Sequence, residues 1–331
     1  MIVSYVLIST GEDIYTEQAL MSIWSCRYYN PDLEIIIITD ENTSKVIDSY
    51  TQIRELVNDI KVIKFDNNNS NFEKSRILKT KLRQILRGEL LFVDTDTIFC
   101  GSIDENDFLV ENIGMVEDIH VKNIEIHPFG HGIKSRVDKL FNIDIRKDLP
   151  YYNSGVIFYK DNPVAEMFSR EWYENWKKVK EKEGGKFDQP SLLYTLSNNL
   201  NVIEPLKGIY NVQVLGSVRY LFSGKILHFF NANWGRDSVH PFLDRKYYMT
   251  IKEKKGLTTQ HKDDILNCKN LFSPTSFIIG PDDVPVWVSL EVSLLKRMWT
   301  SKITRCIVRY WLLISNKTLL IKDKLLKSIQ K

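Results

Sequence analysis

The feature that most limits how this chain can fold is Leu90-Leu91-Phe92-Val93-Asp94-Thr95-Asp96-Thr97, four large apolar residues running into two carboxylates. An unbroken apolar run with a polar end predicts a strand buried on both faces of a parallel sheet, its acids emerging at the carboxyl edge. Ligands of open α/β sheets collect at that edge. Because side chains alternate along a strand, Asp94 and Asp96 are expected on one side, placed to share a hard divalent cation with phosphate oxygens. An Asp-x-Asp on its own is also a common solvated turn, so the remainder of the chain has to supply the rest of a site.

The residues before this strand alternate between the two periodicities. Ile2 to Ile8 reads as a first strand opening into the polar turn Ser9 to Tyr15, after which Ala19, Leu20, Ile23 and Trp24 repeat at helical spacing. Asn30-Pro31-Asp32 breaks that helix and Leu33 to Ile38 is a second buried strand. A helix over 44–56, a strand over 62–65 and a helix over 75–86 closed by Gly88 follow. This βαβαβ order predicts a doubly wound, mostly parallel sheet with helices on both faces.

Downstream, Gly114 to Asp118 is a short strand, and the polar stretch from His120 to Arg136 reads as a mobile loop. His127 and His131 lie four apart, but no helix pattern carries them and no closed ligand set accompanies them, so solvated loop residues are expected rather than a zinc site. Asn153-Ser154-Gly155 precedes an aromatic and β-branched run and predicts a tight turn into a strand, with the glycine admitting a ligand or backbone. Val164, Phe168, Trp172 and Trp176 fall four apart, as a core-packing stripe does. Asp188 is placed as the N-cap of a helix with Pro190 in its first turn. Lys225 to Phe230 is read as the last core strand, ending in the turn Asn231 to Gly235.

Composition excludes several classes. A chain of 331 residues, 43% hydrophobic and 26% charged, supports a large core with an appendage, and a formal charge of +3 is too small to argue for nucleic acid. Cys26, Cys100, Cys268 and Cys306 are widely spaced, which indicates neither a disulfide framework nor a zinc knuckle and fits a reducing compartment. The first residues lack a basic n-region and a cleavage site, and no run approaches the roughly 18 apolar residues of a membrane span. A cytoplasmic location is therefore expected. After Val288 ten basic residues face two acidic ones on a helical pattern carrying Trp299, Tyr310 and Trp311. This tail reads either as an interfacial helix on anionic lipid at the inner face of the membrane or as a helix packed on the rest of the protein.

Phe92-Val93-Asp94-Thr95-Asp96-Thr97, Asn153-Ser154-Gly155-Val156, Asp188-Gln189 and Ile226-Leu227-His228-Phe229, in this order and approximate spacing, resemble the nucleotide-sugar glycosyltransferases of the glycogenin and lipopolysaccharide-galactosyltransferase type (family 8). The resemblance runs from about Ile2 to Trp234. It implies a GT-A fold, a Rossmann-like mixed sheet flanked by helices, over a catalytic domain at 1–235. The accessory region at 236–331 would carry the basic helix. It further implies a metal-dependent, retaining transfer of a hexose from a UDP-sugar to a saccharide or lipid-linked acceptor, in the synthesis of bacterial surface polysaccharide. Asp94, Asp96 and His228 would hold Mn²⁺ or Mg²⁺ on the donor diphosphate, a ligand set with an imidazole favouring Mn²⁺. Asn153, Asp188 and Gln189 would orient the donor sugar at the catalytic centre, with Gly155 and Asp118 beside it. Thr10 and Tyr15 would meet the nucleoside end, Thr95 would lie between the two acids, and Arg76 and Lys79, from a basic helix that also carries Lys81 and Arg83, would meet the diphosphate.

The sequence departs from that pattern at two places. The acidic residue usual near Thr10 is displaced to Glu12 and Asp13, and Phe229 to Trp234 replace the usual loop after the late histidine. Two other readings use the same residues. Asp94-Thr95-Asp96-Thr97-Ile98 resembles the Asp-x-Asp-x-Thr/Val of haloacid-dehalogenase-like phosphatases, which would make Asp94 a nucleophile beside Mg²⁺, although that motif follows the first strand of its domain and here about three strands precede it. A non-catalytic saccharide-binding relative is the other.

Overall fold

The computed structural model describes residues 1–65, 68–217, 219–230, 240–272 and 289–300, together with 304, 306, 307, 310 and 311. The chain forms two compact units, Met1–Gly280 and Pro281–Lys331. In the first, the strands are β1 (Ile2–Val6), β2 (Glu34–Asp40), β3 (Asp59–Ile63), β4 (Leu90–Val93), β5 (Thr97–Phe99), β6 (Ile113–Glu117), β7 (Tyr152–Tyr159), β8 (Ile203–Pro205), β9 (Val212–Gln213) and β10 (Ile226–His228). The helices are α1 (Tyr15–Tyr29), α2 (Glu41–Ile47), α3 (Thr51–Leu56), α4 (Asn71–Thr80), α5 (Leu82–Ile85), α6 (Gly130–Phe141), α7 (Pro163–Glu183), α8 (Gln189–Asn198), α9 (Arg245–Lys254) and α10 (Thr259–Leu266).

Seven strands form one mixed sheet in the order β3-β2-β1-β4-β7-β6-β8. The half from β3 to β4 is parallel, with Ile2 opposite both Glu34 and Leu90. Beyond β4 the β4–β7 and β7–β6 pairs are antiparallel and β6–β8 is parallel, so the expected mixed α/β architecture is present with its break next to the Asp-Thr-Asp strand. Alternation along the strands divides the core in two. Val3, Tyr5, Ile35, Ile37, Leu91 and Val93 face α1 and the 242–268 region. Val6, Ile36, Ile38, Leu90 and Phe92 face Leu78, Leu82, Phe168 and Trp172. Both faces of β4 are thus apolar because both are covered.

Several local expectations shift. The helix expected over 44–56 is two short helices, α2 and α3; the strand expected over 62–65 is β3 at Asp59–Ile63; and the helix expected over 75–86 is α4 and α5. Helix α4 starts earlier than its apolar spacing indicates because Ser70 and Glu73 form a reciprocal capping box, a signal independent of hydrophobic period. The polar stretch read as a loop to Arg136 holds the first half of α6, whose Val137 packs with Ile124, Ile145, Leu149 and Leu193 in a small separate core. Of the aromatic stripe, Phe168, Trp172 and Trp176 are buried and Val164 is exposed. Lys252 to Lys254 are helical in α9. Tyr248, Ile251, Ile265 and Cys268 of the 240–272 region belong to the first unit's core.

All four cysteines are free, with Cys100 and Cys268 sulfurs 3.2 Å apart. In the second unit Leu290–Thr300 is helical, and Ile307, Tyr310 and Trp311 are exposed. The turn at 231–235, Val288, Lys302, Arg305, Arg309 and the basic residues from Lys317 onward lie outside the described residues, as does the side chain of Trp299. Among the described residues no helix is long and apolar enough to cross a membrane.

Candidate functional site

Strand β4 ends at Val93, and the Asp94 amide donates to the Gly155 carbonyl at 2.7 Å. The chain then turns, with the Thr97 hydroxyl bonded to the Asp94 carbonyl, and re-enters as β5. Both acids therefore lie in a turn between two strands, and it is this turn, not alternation along one strand, that sets them together. The strand read as the last of the core, β10, belongs to a separate three-stranded sheet, β5-β10-β9, and pairs antiparallel with β5 so that His228 faces Thr97. That register brings the imidazole to the acids. Ligand atoms of Asp94, Asp96 and His228 lie within 4.8 Å of one another, and His228 Nε2 is 3.1 Å from Asp96 Oδ1.

Gly155 explains how the ring fits. It lies inside β7 and not in a turn before it, and a Cβ built there would sit 2.2 Å from His228 Cε1 and 2.6 Å from Nδ1. The glycine is a recess for the imidazole. Burial opposes the charge on Asp96, yet the charge and hydrogen bond of His228, with a backbone hydrogen bond and Lys79, hold its carboxyl below the usual range. Burial would likewise depress His228, but Asp96 and then Asp94 raise it against Lys79.

A second charged group adjoins the first. Lys79, buried on α4, holds both oxygens of Asp94 at 3.1 and 3.3 Å and lies 3.4 Å from Asp188 Oδ2. Arg76 Nε is 3.6 Å from Asp188 Oδ1 and donates to the Lys186 carbonyl. Asp188 stands at the N-cap position of α8, but its side chain makes no capping bond; it accepts from the Ser154 hydroxyl at 3.1 Å instead. Burial opposes its ionisation, and the charges of Lys79 and Arg76, its backbone hydrogen bond and Ser154 together hold the carboxyl far below the usual range. Trp172 braces this helix start, its indole N–H directed at the Asp188 carbonyl and Ser191 hydroxyl. Next to it, Gln189 Oε1 is buried without a hydrogen-bond partner.

The third group is a string of polar side chains. Asn153 Nδ2 donates to Asp118 Oδ1 at 2.8 Å, and Asp118 Oδ2 is 3.0 Å from His127 Nε2. His127 Nδ1 accepts the Phe129 amide, so the ring proton is on Nε2 and points at Asp118. His127 is thus buried and paired rather than solvated, and exposed His131 does not join it. Beyond Asp118 the backbone of Ile119 (φ 46°) and His120 (φ 60°) is left-handed, a conformation costly for a β-branched residue. Gln213 holds it by accepting the Ile119 amide at 2.6 Å. Buried Asn211 reaches both Asn153 and His228. No periodicity or motif marks Asn211 in the sequence; Ser154 lies inside the Asn153–Val156 motif but carries no signal of its bond to Asp188, and the spacing of His127 from His131 does not point to Asp118.

The loop after β1 closes on itself. Asp13 accepts from the Ser9 hydroxyl, the Thr10 amide and hydroxyl, and the Tyr15 amide, so the displaced acid shapes the turn and engages Thr10. Lys252 of α9 binds the Gly11 and Asp13 carbonyls, and Arg245 the Glu12 carbonyl. Tyr15 is half-buried; burial and the Asp13 and Asp96 charges raise its phenol. Thr95 is half-buried in the turn between the acids, Lys81 lies over the Tyr173 ring, and buried Arg83 pairs with Asp161 away from the acids.

No family model matches the sequence, and no curated protein matches it. Solved structures do. Mouse xyloside xylosyltransferase 1, in its apo form, is similar over 68% of this chain and 96% of that chain, at 14% identity and a TM-score of 0.46. The galactosyltransferase LgtC, in complex with donor and acceptor sugar analogues, is similar over 80% of this chain and 99% of that chain, at 13% identity and a TM-score of 0.47. An active-site variant of LgtC covers 80% of this chain and 96% of its own, at 13% identity and a TM-score of 0.46. These structural neighbours are glycosyltransferases. What the site of this chain can do follows from its own groups.

Proposed function

We propose that this chain is a metal-dependent, retaining glycosyltransferase that moves a hexose from a UDP-sugar to a saccharide or lipid-linked acceptor in surface-polysaccharide synthesis. The observation that carries the reading is the meeting of Asp94, Asp96 and His228, delivered from stretches more than a hundred residues apart by the β5–β10 pairing. Two carboxylates and an imidazole fit a divalent ion such as Mn²⁺, and the Gly155 recess holds the ring where its outer nitrogen faces the acids. When bound, such an ion supplies Lewis-acid stabilisation for the charge that develops on the departing diphosphate.

The chain's own residues supply the remainder. Lys79 and Arg76 place positive charge beside the acids, where diphosphate oxygens would lie. Asp188, kept ionised by these cations and by Ser154, offers a fixed negative charge for a sugar centre that becomes electron-poor as its bond to phosphate lengthens. Gln189 Oε1, partnerless and adjacent, supports a role in binding a sugar hydroxyl. Asn153 and Asp118 offer further polar contacts along the same wall. Tyr15 is the ring closest in sequence to the nucleoside loop. With Asp94 as a phosphatase nucleophile, by contrast, His228, Asp188 and Gln189 would have no part.

UDP release from a panel of UDP-hexoses, with Mn²⁺ and with chelator, tests the proposal. Metal-dependent release is expected, abolished in Asp96→Ala and lowered roughly a hundredfold in Asp188→Asn with Mn²⁺ binding intact. Hydrolysis of a simple phosphate ester with no UDP-sugar binding would overturn it in favour of the phosphatase.

A further inference from the structure

We propose that Asn211, which the metal-site reading does not include, is a positioning residue that sets the proton of His228 and ties the metal-holding group to the sugar-facing group. The inference rests on the metal-dependent reading above.

A single backbone amide sets the direction of the whole string. The Gly155 N–H, which can only donate, points at Asn153 at 2.9 Å, so the facing atom of Asn153 is its carbonyl oxygen Oδ1. The Asn153 amide nitrogen then meets Asp118 Oδ1, an acceptor, at 2.8 Å. Reversing Asn153 would set donor against donor at one end and acceptor against acceptor at the other. Asn211 lies 3.0 Å from the same Asn153 Oδ1 and must present Nδ2 to it. Its remaining atom, Oδ1, faces His228 Nδ1 at 3.1 Å and requires a proton there. The ring nitrogen left toward Asp94 and Asp96 is Nε2, 3.1 Å from Asp96 Oδ1; a cation bound there would displace the Nε2 proton and take the lone pair, with the Nδ1 proton held in place by Asn211.

Asn211 is fully buried; His120 Nε2 holds its backbone carbonyl at 3.0 Å, which fixes the main chain, and its side-chain amide cannot turn without losing Asn153 and His228. A group bound at Asn153 and an ion bound at His228 thereby pull on one rigid amide, and such coupling is reciprocal.

The test uses the full-length protein. Asn211→Leu removes the acceptor and the donor; Asn211→Asp keeps an acceptor for His228 Nδ1 but loses the donor to Asn153. Calorimetric titration with Mn²⁺ alone is expected to show a loss of roughly 10- to 100-fold in the leucine variant. The aspartate variant should stay within a few-fold of wild type and lose UDP-sugar affinity instead. Nitrogen-resolved NMR of the histidine rings should find a hydrogen-bonded, slowly exchanging Nδ1 proton on His228 in the wild type and Asn211→Asp, and its loss in Asn211→Leu. A purely structural Asn211 would move the thermal midpoint and leave the ring proton in place. Wild-type protein that binds no Mn²⁺ sinks the metal reading, and the NMR result then still judges the tautomer claim. Mn²⁺ bound equally by wild type and Asn211→Leu, with an unchanged ring proton, overturns this inference alone.

Discussion

Gly155→Ala isolates the geometry on which the site depends. The backbone of Gly155 is not left-handed, so alanine is conformationally acceptable there, and in a strand interior it ordinarily stabilises by about 0.5–1 kcal/mol. The obstacle is the His228 ring. The new methyl would lie 2.2 Å from Cε1, more than ~1 Å inside ordinary van der Waals contact. A retreat of that size takes Nδ1 out of reach of Asn211 and Nε2 away from Asp96, both now at 3.1 Å. Metal ligation tolerates errors of about 0.2 Å, so the imidazole ceases to be a good ligand. Mn²⁺ affinity should fall roughly 100-fold, equivalent to about 3 kcal/mol. The folded protein itself should lose only about 1–3 kcal/mol from overpacking, partly offset by the alanine preference. Isothermal titration with Mn²⁺ and urea unfolding read the two quantities separately. The control is His228→Ala: with the ring gone only Asn153 Oδ1, at 2.9 Å, still crowds the methyl, and the stability penalty of Gly155→Ala should shrink, a coupling of about 1 kcal/mol or more. Wild-type Mn²⁺ affinity in Gly155→Ala, or the same stability penalty in both backgrounds, would refute the reasoning.

Two further outcomes are expected. His240 is buried among Phe229, Phe242 and Phe272, with Nε2 donating to the Cys268 carbonyl and Nδ1 accepting the Phe242 amide, and burial pushes it down to about 4. The unfolded chain binds the proton first, so between about pH 6.5 and 4 stability should drop as pH falls, by on the order of 3 kcal/mol from this residue; a difference between wild type and His240→Gln that is flat across that window in pH-dependent urea melts would sink this. In the tail, exposed Tyr310 and Trp311 beside an excess of basic residues support docking on anionic lipid. Full-length Tyr310→Ser/Trp311→Ser should sediment several-fold less with phosphatidylglycerol vesicles than wild type at low salt, and equal sedimentation would count against a lipid-facing tail.

The contrast between what is local and what is not runs through the molecule. Leu90 to Val93, Ile35 to Ile38 and Ile2 to Val6 are legible as buried strands because apolar runs are a property of consecutive residues, and the parallel half of the sheet follows from their alternation with helices. Asp94 and Asp96 are legible as a candidate pair for the same reason. Pieces whose signal is a cap or a small satellite core, α4 and α6, were misplaced, since hydrophobic period says little about either.

By itself the sequence determined the α/β class, the strand that leads to the acids and the residue types available for a cation and a diphosphate. The tertiary structure decided which of them meet. His228 reaches Asp96 only because β10 pairs with β5, Gly155 matters only because a ring from a separate sheet fills its missing side chain, and Asn211 acts only through Asn153 and His228, 58 and 17 residues away. Periodicity and motif spacing are written within a few residues of one another, whereas a hydrogen bond between distant side chains depends on strand register and burial, which exist only once the whole sheet has formed.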